Sequence, residues 1–211
     1  MKSKFLATGA IAAAVALGTA ACGSSGSSSS SAAAPKASAS SAAPASSGSG
    51  SAMAPFGPAC SKVPSSGAGS FTGMSTAPVA TAASNNPVLS TLVTAVKKAG
   101  LVDTLNSASG ITVFAPDNAA FARIPASTLK KVLANKAELT KILTYHVAKG
   151  RYTPAQLASG TKITTLEGAK VTPSKMGATY EVNAAHVACG DVHTSNATVY
   201  IIDNVLIPPT S

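Results

Sequence analysis

Three groupings in this 211-residue chain have the residue types that chemistry uses: Asp117-Asn118 inside ITVFAPDNAAF, the pair Tyr145-His146, and His186-x2-Cys189-x3-His193. Asp117 and Asn118 offer an acid and an amide at the point where an apolar strand gives way to a second Phe. A helix is expected to begin there, and its first free N–H groups need an acceptor that the Asp117 carboxylate can supply. The pair is therefore read as a joint: Asp117 caps, Pro116 fixes the turn, and Phe114 and Phe121 pack strand against helix. Imidazoles and a thiol at positions 186, 189 and 193 are zinc-type donors, and zinc needs three or four of them converging. On a strand, however, positions 186 and 189 point to opposite faces. A disulfide at Cys189 with two surface histidines is the expectation, and no metal. Leu139, Ile142, Leu143 and His146 recur at i, i+3, i+4 and i+7, which turns the imidazole toward the core as a hydrogen-bonded residue. Tyr145 then falls nearer the helix edge beside Lys141, as a candidate partner contact.

Other catalytic signatures are missing from the sequence. It contains no GxSxG nucleophile turn and no GxxxxGK[ST] phosphate cradle. Its seven acids are too scattered to suggest a carboxylate pair for acid/base work. Neither a catalytic site nor a cofactor is expected.

The three cysteines, Cys22, Cys60 and Cys189, are an odd count that the N-terminus helps to explain. Residues 1–21 hold Lys2 and Lys4, an apolar run from Phe5 to Leu17, and small residues before Cys22, the layout of a bacterial export signal. Small residues before a lone Cys resemble a lipoprotein cleavage box, although Thr19 stands where Leu is preferred. Lipidation of Cys22, with anchoring at the outer face of the membrane, is expected, and secretion is the alternative. Cys60 and Cys189 then remain, and an oxidising compartment favours joining them. Such a bridge closes a loop worth roughly 4 to 5 kcal/mol by loop entropy, an upper figure. Residues 22–70 are largely Ser, Ala, Gly and Pro and form an expected disordered tether ahead of a domain at 71–211. A monomer is expected.

Beyond the signal, twelve Lys and two Arg face seven acids, and six of the seven net positive charges lie between Arg123 and Arg151. This stretch favours an anionic envelope or matrix polymer or a protein receptor, with Lys130, Lys131, Lys136 and Lys141 as candidate contacts. The plainer reading is a solvated helix face. No aromatic platform is interleaved with these lysines, so nucleic acid is not expected.

Those side chains need elements to carry them. Asn86-Pro87 starts a helix whose apolar residues recur to Gly100, and a further turn spans Leu101 to Leu105. Ile111, Val113 and Ala115 alternate as a strand. Helices follow at 118–123, 127–134, 136–147 and 154–158. Past Gly160 the texture becomes β-branched, with strands at 162–166, 170–172, 179–183, 186–189 and 198–206. One early strand joining a later meander, with helices between, indicates an α+β domain.

In order and spacing, the TVFAPDNAAF box, Tyr145-His146-Val147 and GDVHTSNATVYIIDNVLIPP resemble the signature boxes of the fasciclin domain over about residues 78–209. With Cys60, Cys189 and the Cys22 box, the likeness is to single-domain fasciclin lipoproteins and secreted antigens of actinobacteria. The resemblance implies a β wedge of two small sheets flanked by helices, and a role in adhesion or matrix contact; a small-molecule or lipid binder using an apolar cleft, or a docking subunit of an envelope complex, is the alternative reading. It also implies a receptor role for Tyr145-His146 and an integrin-type place for Asp191-Val192, the latter read here as a loop acid. Asn196-Ala197 departs from the family's Asn-Gly, which raises the question whether Ala197 takes a positive φ.

Overall fold

The computed structural model describes residues 54–209, so the signal, Cys22 and most of the tether lie outside the described residues. Polar caps start the early helices. Ser70 accepts from Gly73 N at the head of α1 (Phe71–Ser75), and α2 (Val79–Ser84) follows. Asn86 and Pro87 set a 3-10 turn that runs into α3 (Ser90–Ala99), which Gly100 ends at φ 74°. Glycine carries no steric penalty there. Next come α4 (Val102–Ser107), β1 (Ile111–Pro116), α5 (Asn118–Ala122), α6 (Ala126–Ala134) and α7 (Lys136–Tyr145). After β2 (Val147–Lys149), Thr153 and Gln156 cap α8 (Pro154–Ala158) reciprocally, with Pro154 in its first turn. The remainder is strand: β3 (Ile163–Thr164), β4 (Lys170–Val171), β5 (Pro173–Met176), β6 (Thr179–Val182), β7 (Ala185–His193) and β8 (Ala197–Ile202).

The strands form a six-stranded sheet ordered β2-β1-β8-β7-β6-β5 and a separate β3-β4 pair. β1 lies parallel to β8, and its other neighbour β2 is antiparallel. Every residue of β1 and β8 is buried, because both faces of the sheet are covered. Side chains alternate between two cores. Ile111, Val113, Ala115, Val199 and Ile201 face the helices α1 to α4 and α7. Phe114, Tyr200 and Ile202 face Leu157 of α8 and Ile163 and Val171 of the small hairpin. Sheet edges are blunted as well: Leu166 N–H bonds Val147 O beside β2, and α8 packs on β5.

Three differences from the sequence reading have physical causes. β2 and β5 are short, and β5 carries Pro173, Lys175 and an exposed Met176, so neither has an apolar alternation. α1 and α2 are single turns built largely of Ser, Thr, Ala and Gly, too short to show a period. The segment 54–70, grouped by composition with the tether, is partly built into the domain. Phe56 exchanges backbone hydrogen bonds with Gly190 of β7 (3.1 and 2.7 Å), and its ring rests where a side chain at 190 would stand. The question raised at Ala197 is answered as well: it is not at positive φ, and among the described residues the non-glycine positions there are Asn183 and Asp191.

Candidate functional site

Asp117 closes β1 and caps α5, its carboxylate accepting from Ala120 N at 2.7 Å. Asn118 reaches the other way: its amide oxygen accepts from Thr91 N at 3.0 Å while its nitrogen donates to Pro87 O at 2.9 Å, which holds the start of α3. The two residues join strand, α5 and α3. Phe114 and Phe121 do not pack together as expected. The first lies in the core under α8 and the second in the core under the helices, because they leave the strand–helix joint on opposite sides of the sheet.

His146 is buried, and both ring nitrogens are used: Nδ1 meets Ile142 O at 2.8 Å and Nε2 accepts from Leu206 N at 2.9 Å. That pattern fixes the proton on Nδ1. Burial holds the imidazole neutral, with its pKa lowered to about 4. Tyr145 corrects the expectation of an exposed contact. It is 2% exposed, donates to Lys170 O at 3.2 Å and accepts from the amide of Asn183 at 3.1 Å. The hairpin β3–β4 covers the side of α7 that helical periodicity alone leaves open, so Tyr145-His146 is an internal clamp and cannot touch a partner in this conformation.

Cys60 and Cys189 are joined by a disulfide, Cα to Cα 4.9 Å, which removes Cys189 from any ligand set. His186 pairs instead with Glu181 at 3.0 Å, and Nε2 of His193 lies 3.3 Å from Asp191 Oδ1. Asp191 is not a loop acid. A bulge sets Gly190 and Asp191 against the single residue Tyr200, and Asp191 sits buried at φ 58°. Burial raises its carboxyl above the usual range, against the pull of His193. An integrin-type use needs an exposed acid, and this one is enclosed.

The basic stretch divides. Arg123 pairs with Asp203 at 3.2 Å and Lys141 with Glu167 at 3.7 Å. Arg151 turns to the β7–β8 connection and donates to Ser195 O at 3.0 Å and, at longer range, to Thr194 O and Ala197 O. Lys130, Lys131 and Lys136 stay exposed. Sequence reasoning noted Asn196 only as a turn residue and missed its role as a tie. Its amide donates to Leu105 O and Ala108 O (both 2.7 Å) and accepts from Val79 N at 2.8 Å, tying the connection to α2 and α4.

A family model for the fasciclin domain matches residues 87–208. The chain belongs to the fasciclin family. It is 49% identical over 161 residues to the immunogenic protein MPB70 of Mycobacterium bovis, covering 72% of this chain and 82% of that one. It is 48% identical over 149 residues to the cell surface glycolipoprotein MPB83 of the same species, covering 68% and 66%. A cyanobacterial relative, protein sll1483 of Synechocystis, is 45% identical over 129 residues, covering 60% and 71%. The FAS1 domain pair of the insect cell adhesion molecule fasciclin I superposes with a TM-score of 0.54 at 18% identity, over 64% of this chain and about half of that one (52%). This likeness shows the fold alone. The fasciclin assignment explains why the three sequence boxes are buried: they are β1 with its cap, the end of α7, and the β7–β8 hairpin.

An apolar cavity of about 60 Å³ lies in the fasciclin domain between α2, α3, α4 and the sheet, bordered by Ala82, Leu92, Val96, Leu105 and Val199. A 150 Å³ cavity is what admits benzene in a well-studied case. This one accommodates a smaller group.

Proposed function

We propose that the chain is an exported surface protein, held at the outer face of the membrane by lipid on Cys22, that presents its fasciclin domain for adhesive contact with the envelope or a neighbouring surface. What carries this reading is the use of the polar residues inside the domain. Asp117, Asn118, Tyr145, His146, Arg151 and Asn196 are all engaged in holding elements together. Such a molecule offers its partners a fixed exterior.

Two measurements test the proposal. Cell fractionation should find the full chain with the membrane and Cys22→Ser in the medium; membrane retention of the variant sinks the anchor. Purified envelope should capture the full chain, and absence of capture at any ionic strength sinks the contact role.

A further inference from the structure

Five lysines from two separated stretches of sequence lie on α3, α7 and α6, three helices packed in series at one corner of the domain. Lys97 and Lys98 occupy the last turn of α3, just before Gly100. Nζ of Lys136, the first residue of α7, lies 3.6 Å from where a Cβ on Gly100 would stand. α3 packs on α7 and α7 on α6, so α6 with Lys130 and Lys131 is the next helix along the same side of the domain. All five are exposed. Among the described residues the carboxylates paired with cations are Asp203, Glu167, Glu181 and Asp191, and none of them pairs with these lysines. The two nearby acids in sequence, Asp103 and Glu138, leave the corner with a net positive charge.

We infer that this corner is a docking surface for a linear phosphate-bearing polyanion of the cell envelope, and that Lys97 and Lys98 belong to it while Arg123, Lys141 and Arg151 do not. The inference rests on the display reading above and adds where contact is made. Three observations select the partner. First, the unpaired cations on these helices are all lysines, which bind phosphate as compact point charges and so suit charge spread along a flexible chain; Arg123 is paired with Asp203 and Arg151 bonds backbone carbonyls elsewhere. Second, the large hydrophobic side chains exposed among the described residues are Met176 and Ile207, on β5 and the C-terminal segment, so the corner has no apolar anchor for a bilayer. Third, no aromatic residue occurs in α3, α6 or the first two turns of α7, so bases have nothing on which to stack.

The test uses the full chain and inorganic polyphosphate of defined length, with affinity measured across a salt series. Binding that engages all five lysines releases about five counterions' worth of salt dependence, so log K should fall against log salt with a slope of about −3.5, taking the flexible-strand coefficient. Lys97→Gln/Lys98→Gln should make the slope shallower by about 1.4, and Lys130→Gln/Lys131→Gln by the same amount. Lys141→Gln should leave it unchanged, with melting temperatures equal across all variants. An unchanged slope in the Lys97/Lys98 variant overturns the inference. So does tighter binding to phosphatidylglycerol vesicles or to polygalacturonate than to polyphosphate, or equally tight binding to pyrophosphate. Envelope capture by a variant with all five lysines neutralised would sink this inference and leave the display reading intact. Polyphosphate binding with no envelope capture would sink both, since the inferred partner belongs to the envelope.

Discussion

His146 shows most directly how burial turns a reactive side chain into a structural one. Its native pKa, about 4, lies below the ordinary histidine value of 6.5, so the unfolded chain takes up protons first as pH falls. Its contribution to stability is complete above pH 6.5 and is lost progressively toward pH 4, amounting to on the order of 3 kcal/mol. Denaturant titrations at pH 7 and pH 4 measure that loss, and His146→Gln should flatten it. Asp117→Ala should cost about 1 kcal/mol, the worth of a helix cap, seen in the thermal midpoint with polyphosphate affinity unaffected. Both roles were legible beforehand, from the i, i+3, i+4, i+7 stripe for His146 and from the strand-to-helix change at Asp117. Tyr145 was not. Its burial depends on the β3–β4 hairpin, more than fifteen residues further along the chain, and helical periodicity carries no information about what covers a helix from outside.

Among the elements, α3, α8 and the strands β1 and β8 could be read from caps and periodicity, because each has a polar start signal or a repeated apolar position. α1, α2, β2 and β5 could not, since their short runs hold too few large apolar side chains to mark a period. Long-range ties decide these short pieces. Asn196 is the clearest case, one amide holding the β7–β8 connection to the ends of α2 and α4. Asn196→Ala leaves several backbone groups without partners and should destabilise by about 1–3 kcal/mol, with faster hydrogen exchange in α2 and α4 as the local signature. Arg151→Ala should give a smaller loss at the same connection, because its carbonyl partners are partly exposed to water.

For the whole molecule, the charge total was visible in the sequence but its distribution was not. Folding withdraws Arg123, Lys141 and Arg151 from the basic stretch and adds Lys97 and Lys98 from a helix that ends more than thirty residues before Lys131. A linear count cannot register either change, since it knows neither which cations find partners nor which helix ends become neighbours. Salt response is the property that reads the folded distribution: at physiological ionic strength screening acts beyond about 8 Å, so a corner of lysines weakens its hold steeply as salt rises. The disulfide has a mechanical consequence. A protein fixed to a membrane at one end and gripped elsewhere is under tension, and a pull arriving from the N-terminal side crosses from Cys60 to Cys189, bypassing everything between. Stretching the oxidised chain by its two ends should therefore leave that interval unextended, whereas reduction should free the 129-residue span and add roughly 430–460 Å of contour length. The cystine makes the helices and most of the sheet a closed ring that tugging cannot unravel.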